Sequence, residues 1–386
     1  MNRTKRYYIE VFILCIILLP FSNINAMVSY KSLLYILQII SALIMTIIIL
    51  KEWKSIKIDS ITILLALFCT YQFLISIINS TITMGIMFNI YFLFISIIFI
   101  KKSFEKEDYK ILQALYILSS FIMIINIPSL IKSIPMPEYK KVFLIGGKNA
   151  LSIIAILAIY YNYIYNYIYN KKMTKIGILF LLIDLSTLLL SGSSTGIIVG
   201  IIMTFFVVFA SNLNINSKWY FIIYFLALLL IFNTNNINNI DFLYNFITNT
   251  LNKDLTFTGR TIIWQNVGEY IGKNIWGYGR GNSIVLRITG SLNECHNAIL
   301  ELILSGGVPS LILFVLFVYK CLNTKQKKNK LINISRFIIF VFGVIGLTES
   351  IIYNMNLWWI LIITYSLCKK FLGDECNNDN CIHSNI

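Results

Sequence analysis

Residues 84–100 read MGIMFNIYFLFISIIFI, with no Asp, Glu, Lys or Arg, and Lys101 and Lys102 close the run. A membrane-crossing helix needs roughly 20 mostly apolar residues, with a range of about 17–25. This stretch therefore reads as a span stopped by two cytoplasmic lysines. Working outward, comparable runs lie at 7–22, 31–50, 59–79, 109–127, 149–169, 176–192, 194–211, 217–233, 297–319, 333–349 and 351–368. About twelve spans make the expected fold an all-α polytopic membrane protein. The runs are continuous rather than alternating, which excludes a membrane β-barrel. Composition agrees: 58% of the 386 residues are hydrophobic and 13% charged, with a mean hydropathy of +0.76. Soluble domains average about 45–50% apolar and about 25% charged, so a water-soluble protein is excluded.

Charge orients the spans. With the N-terminus inside, the segments on the cytoplasmic side hold twenty-two of the 32 Lys and Arg, as the positive-inside rule requires. Both termini are then cytoplasmic, and a multi-pass protein of the cell membrane is expected. The net charge of +15 reads as this bias rather than as a nucleic-acid surface. Arg3, Lys5 and Arg6 ahead of residues 11–19 imitate a signal peptide, but no small-residue cleavage site follows, so the segment reads as the first anchor. Residues 1–233 hold helices 1–9, residues 234–296 an extracytoplasmic loop before the tenth helix, residues 297–368 helices 10–12, and residues 369–386 a polar tail. Seven scattered cysteines imply no disulfide framework. Cys376, Cys381 and His383 fit no compact zinc spacing.

Nine of the ten outward basic residues cluster, Lys31 being the exception. Lys132, Lys140, Lys141 and Lys148 fall in the loop 128–148, and Lys253, Arg260, Lys273, Arg280 and Arg287 in the loop 234–296. A loop this long is usually functional or disordered, and its tryptophans, tyrosines and glycines suit a folded surface. Three clusters within it could carry chemistry. First, Arg260 opens a helical pattern in which Ile263, Val267, Tyr270 and Ile271 share a face. That pattern suits an amphipathic helix lying on the outer membrane surface. A guanidinium at a helix N-terminus suits a phosphate; alternatively it stacks on Trp264. Second, Gly277, Gly279 and Gly281 alternate around Tyr278 and Arg280, a turn whose backbone could approach a ligand closely. Third, Glu294, Asn297 and Glu301 would share one helical face beside His296. An imidazole there can take a proton at neutral pH, or can cap the helix. Glu301 lies just inside a span, where carboxylates usually line a cavity, and residues 305–309 (SGGVP) should kink that helix. Asp184 and Glu349 are two further membrane carboxylates, the second placed to meet the basic loop. No D-x-D pair, P-loop, H-E-x-x-H or G-x-S-x-G motif occurs.

Taken in order, T-G-R-x-x-x-W from Thr258, N-x-W-G-x-G-x-G from Asn274 and H-N-x-x-L-E-x-x-L-x-G-G from His296 resemble the O-antigen ligase-like family, which includes the Wzy-type polysaccharide polymerases. Gly146-Gly147-Lys148-Asn149-Ala150 resembles the family's loop-to-helix entry, and Leu190 to Thr195 one of its helix starts. The resemblance covers roughly 146–310. It departs at Gly192, Ser193 and Ser194, where many relatives carry a basic residue; Lys148 could replace it. The resemblance implies a GT-C-like glycosyltransferase fold and transfer of a glycan from undecaprenyl diphosphate to a sugar hydroxyl, outside the membrane, with no metal or cofactor. His296, Arg260 and Glu301 would then be catalytic. Lys148, Arg280, Gly277, Gly279, Trp264, Tyr278 and Asn297 would bind substrate. The lipid-linked oligosaccharide, membrane lipids, a flippase and a chain-length regulator are the expected partners, and nucleic acid is not. The expected activity is polymerisation of lipid-linked repeats for a capsule, exopolysaccharide or O-antigen. The alternatives are a ligase that moves a finished chain to an acceptor such as lipid A core, and a flippase or transporter.

Overall fold

A computed structural model of the chain describes residues 3–21, 31–105, 109–132, 134–136, 139–210, 217–232, 260–323 and 329–383. Each of the twelve apolar runs forms a helix. In chain order these are α1 (Arg3–Leu18), α2 (Lys31–Lys51), α3 (Ser60–Ile78), α4 (Met84–Glu105), α5 (Lys110–Ile131), α6 (Lys148–Asn170), α7 (Lys175–Ser191), α8 (Ser194–Phe205) and α9 (Ser217–Phe232). Two helices of the loop follow, α10 (Arg260–Lys273) and α11 (Ile284–Thr289), and then α12 (Ala298–Leu322), α13 (Lys330–Gly346) and α14 (Met355–His383). Among the described residues, six of these are long and apolar enough to cross a membrane: α2 from Leu33, α3, α4, α5, α6 and α12. The chain is a multi-pass helical membrane protein.

The all-α expectation is corrected at one place. Three short strands, β1 (Ile134–Met136), β2 (Tyr139–Phe143) and β3 (Gly146–Gly147), form an antiparallel sheet. Val142 pairs with Gly147, and Phe143 with Gly146. The segment is too short and too broken by proline for a helix, so its backbone groups pair across strands instead. Helix α14 runs unbroken from the last apolar run to His383.

Helix α6 is the central post, its Ala155, Ile156, Ile159 and Tyr160 all fully buried. It packs against α5, α7, α8 and α13, while α3 packs along α12 and α4 along α14. The α6–α8 approach is close because position 196 is glycine: a Cβ there would overlap the Ser152 side chain. Trp358 and Trp359 of α14 fill the middle of the bundle, Trp358 between Phe68 of α3 and Phe317 of α12.

The helix ends separate into two faces. At one face Asp59, the N-cap of α3, accepts from Lys101 Nζ of α4 (2.7 Å), Tyr365 Oη of α14 (2.9 Å) and Lys369 Nζ (3.3 Å). Lys101 and Lys102 are therefore not solvated loop lysines; both are buried. The other face carries the end of α3, the starts of α6, α8, α12 and α14, and the loop helices α10 and α11.

Candidate functional site

The turn joining α13 to α14, residues 347–354, is the floor on which three parts of the chain meet. Arg260, the first residue of α10, donates through Nη1 to Thr348 O and through Nη2 to Glu349 Oε1 (3.0 Å). Asn149 of α6 donates to the same Oε1 (2.7 Å) and accepts from Ser193 Oγ (3.1 Å). Ser193 in turn caps α8 through Gly196 N. The loop-to-helix entry at 146–150 and the helix start at 190–195 are thus joined by one polar chain, Ser193–Asn149–Glu349–Arg260. Asn149 and Ser193 also line a small recess with Glu349. Lys148 sits one residue away, exposed, as the first residue of α6.

The glycine turn approaches the protein itself. Helix α12 breaks at Gly307 (φ 66°, ψ −175°), two residues before Pro309. The turn docks across this break: Tyr278 N donates to Leu304 O (2.9 Å), Gly279 N to Ser305 O (2.8 Å), and Val308 N to Ile275 O (2.8 Å). A Cβ on Gly277, at φ +94°, would come within 2.7 Å of Gly306 C and Ser305 O; one on Gly279, at φ +81°, would reach Ser76 Cα and the Thr81 side chain. The expectation that Gly277 and Gly279 open a path for a ligand's close approach is corrected: they let backbone satisfy backbone where the helix has lost its own hydrogen bonds. The docking delivers Arg280. Its N–H donates to Ser76 Oγ (3.0 Å), and its guanidinium lies over the Tyr353 ring at 3.9 Å. Among the described residues that guanidinium has no hydrogen bond or ion pair. Tyr353 Oη bonds Ser305 Oγ and reaches Gln72 Oε1 (3.4 Å), and Gln72 donates to Ser310 Oγ (2.9 Å).

The third cluster differs from the sequence reading in its start. Helix α12 begins at Ala298 because Asn297 caps it, accepting from Ile299 N and Leu300 N (3.0 Å each). Residues 294–297 lie outside the helix, so Glu294, Asn297 and Glu301 do not share a helical face. Asn297 Nδ2 donates to Leu347 O (3.0 Å) and the side chain is buried; it anchors the turn instead of facing a substrate. Glu301 Oε2 accepts from Cys295 N (2.9 Å), with Ser350 Oγ at 3.5 Å. It holds the re-entering backbone in place. His296 is not the cap. It adopts a left-handed conformation (φ +52°), uncommon outside glycine, which turns its ring toward the floor: Nδ1 lies 3.9 Å from Glu349 Oε2. Burial, and after it the charge of Glu301, raises the proton affinity of the Glu294 carboxyl beside it.

Helix α10 docks on protein. Ile263, Trp264 and Val267 are buried against Cys295, Leu300 and Leu304, with Tyr270 and Ile271 packed beside them. The surface-lying helix is therefore corrected: its apolar face is covered by α12. Trp264 Nε1 donates to Cys295 O (2.9 Å) and the ring is 3% exposed, so it is a core residue and cannot stack on a sugar. Tyr278 Oη donates to Tyr270 O (2.9 Å), holding the glycine turn to α10. Lys253 and the rest of 233–259 lie outside the described residues.

Beside the floor opens an apolar groove enclosing about 170 Å³. Tyr220 and Tyr224 of α9, Ala298 and Val315 of α12, Gly343 of α13 and Ile351 of the turn line it. Ala298 and Ile351 stand at its site end, next to Asn297 and Ser350. Sequence reasoning named Glu349 without giving it a role and passed over Gln72, Ser350 and Tyr353. The signal available was a carboxylate closing a span opposite a basic loop; the rest depends on folding contacts between residues far apart in the chain.

Fold and site together define a class: a helical membrane protein with arginines, an imidazole and carboxylates gathered at one face around a broken helix. Residues 179–315 match the family model described as O-antigen ligase, so this stretch carries the signature of the family that the motifs resemble. The match runs from α7 into α12 and points to a glycosyltransferase-like enzyme of the membrane. No curated protein and no solved structure matches the chain.

Proposed function

We propose that the protein polymerises lipid-linked oligosaccharide repeats, transferring a glycan from polyprenyl diphosphate to a hydroxyl of another lipid-linked repeat on the outer face of the cytoplasmic membrane. The observation that carries this reading is the convergence of Arg260, Arg280 and His296 on one turn at the head of an apolar groove. In the reaction the acceptor hydroxyl oxygen bonds to the anomeric carbon of the donor. The bond from that carbon to the diphosphate oxygen breaks, and its electron pair leaves on the diphosphate. The hydroxyl proton passes to His296 Nε2. Charge that develops on the leaving group needs preorganised cations. Arg280, with its guanidinium donors uncommitted, is the first of these; Arg260 keeps three of its five N–H donors after its bonds to Thr348 and Glu349; Lys148 stands at the rim. The polyprenyl tail takes the groove. Glu301 acts as a positioning residue through Cys295 N, and Trp264 and Asn297 support the loop. A flippase supplying the donor and a chain-length regulator complete the expected setting.

The test uses the purified protein in lipid vesicles, with a polyprenyl-diphosphate-linked repeat as donor. His296→Asn keeps a residue that tolerates left-handed backbone and leaves the Asn297 cap untouched, yet removes the base. Turnover should fall by about 10²–10⁴-fold with little change in KM for the donor. Wild-type turnover in this variant would remove His296 from the chemistry. The ligase is the second reading, favoured by the description of the matched family. A strain lacking the protein separates the two: single repeats left on the carrier mean polymerase, long unattached chains mean ligase.

A further inference from the structure

Glu349 stands at the centre of the site, and nothing so far gives it a part in the chemistry. Its two oxygens face different groups. Oε1 is held by Asn149 Nδ2 (2.7 Å) and Arg260 Nη2 (3.0 Å), while Oε2 is the oxygen nearest His296 Nδ1, at 3.9 Å. That Nδ1 is buried and has no hydrogen-bond partner among the described residues. Buried ring nitrogens are normally satisfied, and closing the pair to about 3 Å takes a movement of about 1 Å. A nitrogen lone pair aimed at a carboxylate is repelled and an N–H is attracted, so the carboxylate selects the tautomer with the proton on Nδ1.

We infer that Glu349 is the positioning residue for His296: it fixes the imidazole with Nδ1 protonated and leaves the Nε2 lone pair free for the acceptor hydroxyl. This rests on the proposed role of His296 as base and adds the group that prepares it. A histidine base needs such an orienting partner, because the tautomer sets which nitrogen can accept a proton. The arrangement also couples the base to the cation. One carboxylate holds Arg260 by one oxygen and His296 by the other, so the groups that serve leaving group and nucleophile share one anchor. When the acceptor proton arrives on Nε2, the imidazolium that forms lies beside an anion whose other oxygen is already committed. The remaining charged groups around the ring are Glu294 on the same loop, Glu301 at the start of α12, whose Oε2 is taken by Cys295 N, and Arg260 of α10; among the described residues Glu349 is the carboxylate with an oxygen within 4 Å of Nδ1.

The discriminating variant is Glu349→Gln. Asn149 and Arg260 are both donors, so they retain the amide oxygen at the Oε1 position and turn the NH₂ toward His296. An NH₂ donates to Nδ1 and drives the ring proton to Nε2. The anchor of Arg260 is preserved while the tautomer inverts. The chain has two histidines, so in a His383→Gln background ¹⁵N-histidine labelling of the full-length protein in vesicles gives the signals of His296 alone. Solid-state ¹⁵N shifts, recorded at a pH alkaline enough for a neutral ring, report which nitrogen carries the proton. The expected result is Nδ1–H in the otherwise wild-type protein and in Glu349→Asp, and Nε2–H in Glu349→Gln. A proton already on Nε2 in the unmutated site, or no change in Glu349→Gln, overturns the inference; the first of these needs no Glu349 variant to fold. Turnover with the polyprenyl-diphosphate-linked repeat is then read on the same samples. Inversion accompanied by a fall of about 10²–10⁴-fold at unchanged donor KM supports both the pairing and the base. Inversion with undiminished turnover keeps the pairing and removes His296 as the base, so the two failures are told apart.

Discussion

Arg260 makes two bonds to the α13–α14 turn, to Thr348 O and Glu349 Oε1, and its planar fork fits both at once. Lysine has no such fork. Arg260→Ala should therefore abolish polymer at normal protein level, and Arg260→Lys should restore little. The check is glycan length in a strain expressing each variant; wild-type-length polymer from the alanine form would take Arg260 out of the site. At this scale the sequence was informative about residue type and poor about role. Arg260, Arg280 and His296 stood out by charge and position. Trp264 and Asn297 stood out equally, yet their side chains serve the core and the helix cap. A tryptophan in a basic loop looks the same in sequence whether it faces a sugar or Leu300 and Leu304; only the packing separates the two.

Two elements carry testable consequences. The glycine turn is held to the α12 break by backbone bonds, and a side chain at position 277 would overlap that backbone from a positive φ. Gly277→Ala should cost about 1–3 kcal/mol from the strained conformation alone, and more from the overlap. The measurement is the unfolding temperature in detergent, beside Gly272→Ala, where a Cβ meets nothing within 4 Å. Equal temperatures for the two would contradict the docking. On the opposite face, burial works to raise the proton affinity of Asp59, but Lys101, Thr62 and Tyr365 outweigh it and hold the carboxyl well below its ordinary value of 3.8. A depressed folded value means the carboxylate stabilises the fold above the unfolded value and loses that contribution as pH falls toward the folded one. Asp59→Asn should thus cost about 2–3 kcal/mol near neutrality, from weakened bonds to charged donors. The deficit should shrink once the pH drops below about 3.8; a deficit independent of pH would refute the ion-pair account.

For the whole molecule, the separation of helix ends into two faces places Arg260, Arg280 and His296 on one and Asp59, Lys101 and Lys369 on the other. On the charge bias we expect the first face to lie outside. A single cysteine at Lys273→Cys tests it, since the side chain at 273 is exposed and the described native cysteines are all buried. Labelling by an impermeant reagent on intact cells is expected. Labelling only after lysis would invert the topology and with it the side on which the glycan is transferred.

The sequence by itself determined that its apolar runs are helices and that the chain is a multi-pass membrane protein, because burial in lipid demands long apolar runs that any reader of the chain can find. It also marked the break in α12, since Gly306, Gly307 and Pro309 are poor helix formers. It did not reach the short sheet at 134–147, whose pairing depends on neighbours rather than on a period. Nor did it place the floor of the site. Glu349 meets Asn149, Arg260 and His296 from positions 200, 89 and 53 residues away, and Tyr353 meets Arg280 and Gln72 across similar separations. Hydropathy and spacing are local quantities, whereas these contacts exist only once α6, α10, α12 and the α13–α14 turn have packed. The tertiary structure alone therefore decided which carboxylate faces the imidazole, which arginine is left with its donors free, and which of the loop's aromatic and glycine residues belong to the scaffold.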